Sequence, residues 1–156
     1  MRRTDREITN PAAIDEIIRA CPCCRLGVQD GEGVYLVPLS FGFTHADGRR
    51  TLYFHSASDG HKLELLRTGR PAAFELDRLL EITGGPIACK YSARYQSVLG
   101  QGHVRFLTTP EEKAAALREI MFQNTGRRDW EFAEAALSRV VLFALDVETI
   151  SAKQHV

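Results

Sequence analysis

The sequence predicts a small α+β domain with an antiparallel β-barrel at its centre. Three observations carry that expectation. Short apolar runs separated by Gly- and Asp-rich turns crowd the middle of the chain. Helical patterns with their own start and stop signals stand between them. An apolar run, residues 140–147, interrupted only by Asp146, returns as the last strand. A chain of 156 residues suits one domain spanning 1–156.

Asn10-Pro11 opens the first helix with an N-cap and a proline at the first helical position. Ile14, Ile17 and Ile18 form its apolar stripe, and Cys21-Pro22 ends it. Residues 24–29 and 34–43 follow as two strands joined by the turn Asp30-Gly31-Glu32-Gly33. Asp47-Gly48 turns the chain into a third strand, residues 50–55. Ser58 has the character of an N-cap for a helix carrying Leu63 and Leu66, which Gly69 and Pro71 stop. Residues 72–76 are extended. Residues 87–106 form a long run in which Gly100 and Gly102 signal a bulge or a close backbone approach. Thr109-Pro110-Glu111-Glu112 starts a helix carrying Leu117, Ile120 and Met121, and a second short helix is expected around residues 130–137. The last strand is expected to close the sheet on itself and so remove its free edges.

Composition narrows the function. Lys+Arg and Asp+Glu are both 20, so the net charge is zero, which argues against a general nucleic-acid binder. Hydrophobic residues at 44% and charged residues at 26% are those of a folded domain. No run of about 20 apolar residues provides a membrane span. Met1-Arg2-Arg3 is followed by no apolar region, so no secretory leader is expected and the cytoplasm is the default compartment. Cys21, Cys23, Cys24 and Cys89 are then expected to stay reduced. Cys21-Pro22-Cys23-Cys24 lacks the second pair that a structural zinc site needs, and buried packing is its better reading. No metal site is expected.

The most informative segment runs from Tyr53 to Lys62. A strand ends in Phe54-His55-Ser56-Ala57, and a helix begins with Gly60, His61 and Lys62. Free N–H groups at such a start suit a phosphate, Gly60 lets it approach the backbone, and Lys62 adds charge. The plainer alternative is a capped helix with a solvated lysine. His55 is either a proton-transfer group or a packed strand histidine. Pro38, inside Val37-Pro38-Leu39-Ser40, marks an edge or a bulge where backbone groups can face a flat ligand instead of a strand. Gln96 and Ser97 can reach a phosphate or a sugar hydroxyl, or simply line an exposed strand.

In order and spacing, these segments resemble the FMN-binding split-barrel superfamily of pyridoxamine 5′-phosphate oxidase-like proteins. Within it the chain looks most like the Nim-type nitroimidazole resistance proteins. The resemblance is carried by 37–42, 52–57 with Gly60-His61-Lys62, Tyr95-Gln96-Ser97-Val98 with Gly100 and Gly102, and Pro110-Glu111-Glu112-Lys113. It implies a six-stranded antiparallel split β-barrel with flanking helices, forming a homodimer with FMN at the subunit interface. Val37, Pro38, Leu39 and Ser40, with His55, Ser56 and Ala57, would line the flavin ring. Gly60, His61 and Lys62 would meet its phosphate, with Gln96 and Ser97 at the same end. His55 would be the catalytic candidate. Phe41, Phe43, Phe54 and Tyr95 either wall a flat heteroaromatic substrate or are simply core, as most such aromatics are. The implied activity is reduction of nitro-aromatic, 5-nitroimidazole-like or related small compounds with electrons from a nicotinamide nucleotide. The alternative is a non-catalytic flavin-binding or haem-handling split-barrel protein.

Overall fold

The structure is a computed structural model and describes residues 4–156. Met1 to Arg3, on which the leader expectation and the start of the resemblance fall, lie outside the described residues. The elements in chain order are β1 (Glu7–Ile8), α1 (Pro11–Ala20), β2 (Cys24–Asp30), β3 (Gly33–Leu39), β4 (Gly42–Ala46), β5 (Arg49–Ser56), α2 (His61–Leu66), β6 (Ala72–Thr83), β7 (Ser92–Leu107), α3 (Pro110–Thr125), α4 (Glu134–Leu137) and β8 (Val141–His155). The strands form one antiparallel sheet in the order β3-β2-β6-β7-β8-β5-β4, with β1 added beside β8.

The sheet curls around its own apolar face. Leu26 and Val28 of β2, near one edge, share a core with Phe43 of β4 at the other. Leu52, Phe54, Phe74, Leu76, Val98, Phe143 and Leu145 complete it, each from an alternate position of its strand. α1 adds Ile14, Ile17 and Ile18, the stripe its spacing predicts, and Asn10 Oδ1 accepts from Ala12 N and Ala13 N. The capping box of α3 is present, with Thr109 and Glu112 each bonded to the other's backbone.

Several expectations are corrected. The last strand does not close the sheet: β8 lies inside it, between β7 and β5, and β3 and β4 remain as edges. Residues 34–43 are two strands, not one. The chain bends at Ser40-Phe41, Phe41 turns into the core, and α3 packs directly on the backbone of Gly42. A Cβ at Gly42 would stand 2.5 Å from the Ile120 amide nitrogen, so the bend needs a residue without a side chain. The sheet has eight strands, the two-residue β1 included, where the resemblance implies six. β6 continues to Thr83, well past residue 76. A bulge between Leu79 and Glu81 breaks the alternation there and hides the strand from its pattern. Only Glu134–Leu137 of the second short helix is helical. Ser58 does not cap α2: the N-cap position is Gly60, with no side-chain cap. None of the described helices is long and apolar enough to cross a membrane.

α1 is clamped to the β4–β5 hairpin by Asp15. Its carboxylate accepts from Arg50 Nε at 2.7 Å and lies 2.5 Å from His45 Nδ1. The Asp15 and Arg50 side chains are only 18% and 14% exposed, so solvent replaces little of what is lost. Asp15→Asn should therefore lower stability by about 1–2 kcal/mol, read as a lower urea midpoint with an unchanged slope.

Candidate functional site

Three of the expected segments lie on β3, at the end of β5 and at the start of α2. Among the described residues β3 has β2 as its only strand neighbour, so its other edge is free, as Pro38 predicts. Val37 and Leu39 pack inward on the core, while Pro38 and Ser40 are exposed. A flat ligand at this edge would meet backbone, Pro38 and Ser40, not the Val37 and Leu39 side chains. At the other edge of the sheet, Gly42 pairs with Tyr53. His55 is exposed at the end of β5, opposite Leu142 in β8, while its neighbour Phe54 points into the core. Ser56 is half-buried and Ala57 exposed.

From there the chain reaches α2 through Gly60, whose φ of 125° is a conformation that side-chain-bearing residues avoid. No side chain caps the N–H groups of the first turn. Leu63 and Leu66 are buried, which fixes the helix on the core. At six residues, α2 has little macrodipole. Its capacity for an anion rests instead on the uncapped amides and on Lys62. Lys62 is partly buried and, among the described residues, has no hydrogen-bond or ion-pair partner. Burial holds its ammonium below the usual lysine range. A capped helix with a solvated lysine is therefore not what the structure contains.

His61 is engaged elsewhere. Its Nε2 lies 2.7 Å from Asp30 Oδ2 at the end of β2, its Nδ1 lies 3.4 Å from Glu64 Oε2, and its ring meets Tyr35 of β3 edge-on at 5.3 Å. These contacts tie the start of α2 to the β2–β3 hairpin and so bring residues 60–62 beside β3. Asp30 and Tyr35 are absent from the residues that sequence reasoning singles out. Asp30 is 31 positions from His61 and reads locally as a turn former, so no signal in the chain marks it.

Gln96 and Ser97 stand apart from this group. β7 lies three strand spacings from β3, about 14 Å along the sheet. The two residues also point to opposite faces of β7. Gln96 accepts from Arg78 Nε at 2.8 Å and donates to Gln154 Oε1 at 3.0 Å, so its amide is occupied within the fold. Ser97 is 7% exposed, and its Oγ is buried without a hydrogen-bond partner.

The aromatic wall is not realised. Phe41, Phe43 and Phe54 are core residues, and Phe54 stacks on Phe143 at 5.3 Å. Tyr95 packs edge-on against His155. The core claims the three phenylalanine rings because each falls on the inward side of the curled sheet. Cys21 and Cys24 are buried, as expected of packing residues. Burial pushes the Cys21 thiol up to about 11 and raises that of Cys24 as well, so both stay protonated.

A curled antiparallel sheet with β3 and β4 as its edges, and an uncapped helix start carrying a partly buried lysine tied to the β2–β3 hairpin, is the class of domain this fold defines. The chain belongs to the pyridoxamine 5′-phosphate oxidase family, whose profile matches residues 10–154. Among solved structures, it is similar to a protein of Bacteroides thetaiotaomicron provisionally described as a 5-nitroimidazole antibiotic resistance protein. That match has 30% identity and a TM-score of 0.80, and covers 95% of this chain and 86% of the other. A FAD and heme binding protein of Mycobacterium smegmatis matches at 18% identity and a TM-score of 0.80, over 96% of this chain and 73% of its own. A flavocytochrome of Azotobacter vinelandii matches at 16% identity and a TM-score of 0.80, over 100% and 72%. The last two similarities are of fold. No curated protein sequence matches the chain.

Proposed function

We propose that this chain binds FMN between two copies of itself and acts as a flavin-dependent oxidoreductase. Its substrates would be nitro-aromatic, 5-nitroimidazole-like or related small heteroaromatic compounds, with a nicotinamide nucleotide as electron donor. The observation that carries this is the uncapped, lysine-bearing start of α2 tied through His61 to Asp30 and Tyr35 of the β2–β3 hairpin. The residues fit the group. Gly60, Lys62 and the first-turn amides would hold the phosphate, and the 38–40 edge with Ser56 and Ala57 would hold the ring. Bound there, FMN supplies two-electron transfer chemistry. The chain's own part is to grip the tail, position the ring, and present His55 to the substrate. An imidazole at that place orients an acceptor and delivers a proton as charge builds on it.

The second copy is supported by the apolar surface next to the free edge. Val34 and Leu36 on β3 are 72% and 63% exposed, and Leu99 on β7 is 44% exposed. Exposed apolar patches of this kind mark surfaces that another molecule covers.

The absorbance spectrum of the purified protein tests the proposal. Bands of an oxidised flavin, release of FMN on denaturation, and oxidation of NADH or NADPH in the presence of a nitroimidazole are expected, at twice the chain mass by light scattering. A colourless protein that takes up no FMN on reconstitution overturns it. A Soret band in place of flavin absorbance replaces it with the haem-handling reading, and flavin without turnover replaces it with a flavin carrier.

A further inference from the structure

We propose that His61 is a positioning residue that latches the start of α2 to the β2–β3 hairpin through Asp30, and that the phosphate grip is left to its neighbour Lys62. The inference rests on the flavin-binding reading above and assigns a different task to one of its residues.

The geometry separates the two side chains. Adjacent helix positions project about 100° apart, so His61 and Lys62 cannot both face one ligand squarely. His61 faces Asp30 from β2 at 2.7 Å, Tyr35 from β3 with its ring edge, and Glu64 one turn along its own helix at 3.4 Å. Both ring nitrogens are thus turned toward carboxylates. A phosphate brought to His61 would meet Asp30 and Glu64 as well, and two negative groups around one imidazolium leave a poor place for a dianion. Lys62 has no carboxylate partner among the described residues. α2 is only six residues long and has no side-chain cap. The His61–Asp30 contact is what the fold provides in place of a cap.

The two carboxylates, Asp30 first and then Glu64, raise the His61 pKa above its ordinary value of 6.5. A histidine raised in the folded state contributes its contact fully below its ordinary value and loses it as pH climbs through the raised one. The latch is therefore closed below the ordinary histidine value and opens as pH rises past the raised one.

The sign of one substitution separates a latch from a direct ligand. Asp30→Asn removes a negative charge from the neighbourhood of an anion site. If His61 itself bound the phosphate, the change would free the imidazole and tighten FMN binding. A latch predicts the opposite, a loss of roughly threefold in affinity for a contact this exposed. His61→Gln should cost about the same, and the double variant no more than either, because both single changes break one contact. The measurement is FMN titration of the flavin-free protein by fluorescence quenching at pH 7, with the three variants and wild type. Tighter binding by Asp30→Asn, or additive losses, overturns the latch. A second readout needs no flavin: proton NMR titration of His61 in the flavin-free protein should show its pKa falling in Asp30→Asn, and an unchanged titration overturns the latch. If wild type takes up no FMN, the proposed function fails, and the latch is decided by the NMR titration alone.

Discussion

Gly102→Ala should destabilise the fold by about 3 kcal/mol, a drop in Tm of roughly 6–12 °C for a domain of this size. Gly102 sits where the β7–β8 register slips: Gln101 pairs with Thr149 but Gly102 pairs with Val147, leaving Glu148 as an extra residue. The bulge drives the Asp146 carbonyl toward Gly102, so that a Cβ there would overlap that oxygen and lie 2.9 Å from the carbonyl carbon and 3.2 Å from the Val147 Cα. All three obstacles are backbone. A flexible side chain could swing aside, but here two central strands must separate, and β7 and β8 carry the ladder that joins both halves of the sheet. Gly33→Ala is the control: the nearest atom to a Cβ there is the Asp30 carbonyl oxygen at 3.5 Å, an ordinary contact, and its effect should fall within about 0.5 kcal/mol. Thermal unfolding followed by circular dichroism measures both. A Gly102→Ala protein that melts with wild type would show that the strand pair yields freely and that the close approach has no energetic weight.

That glycine is legible in the sequence, since a glycine inside an apolar strand marks a bulge or a close backbone approach. The same holds for α1, for the capped start of α3 and for Pro38 on an edge. Each is a local rule in which two or three adjacent residues contain their own reason. The failures share a cause too. The end of β6 escapes the pattern because its bulge breaks the period that reveals a strand. The bend at Ser40-Phe41 escapes it because the reason is Ile120, about 80 positions away and pressed on Gly42. Within the site, the segments 37–40, 55–57 and 60–62 are recognisable by their local residue patterns. What lies beyond reach is the division of labour among them. Sequence shows that His61 and Lys62 are both basic; it cannot show that Asp30 and Glu64 flank one of them and that burial strips water from the other. Nor does it show that Gln96 is already spent on Arg78 and Gln154 while Ser97, beside it, has no partner.

His55→Ala should reduce turnover of a nitro-aromatic acceptor by about 100-fold while leaving the protein folded and its flavin bound. The figure is the lower end of what a positioned proton donor contributes. Folding should survive because His55 is exposed and, among the described residues, its side chain forms no hydrogen bond. Its strand is held by the core residues Leu52 and Phe54 and by pairing with β8, none of which needs the imidazole. In the proposed site the tail would be gripped at Gly60 and Lys62 and the ring edge would rest on backbone at 38–40, so flavin should stay when one exposed side chain is removed. The loss should therefore appear in kcat, with the FMN dissociation constant within about threefold of wild type. His55→Gln, which keeps a donor but cannot transfer a proton near neutrality, separates orientation from proton delivery: recovery of most of the lost rate would assign His55 to orienting the acceptor. Steady-state oxidation of NADH or NADPH with a nitroimidazole, alongside the melting curve and the flavin content of each variant, reads all of these at once. Unchanged kcat in His55→Ala would make this histidine a bystander at the end of β5 and leave the chemistry to the flavin and the backbone that holds it.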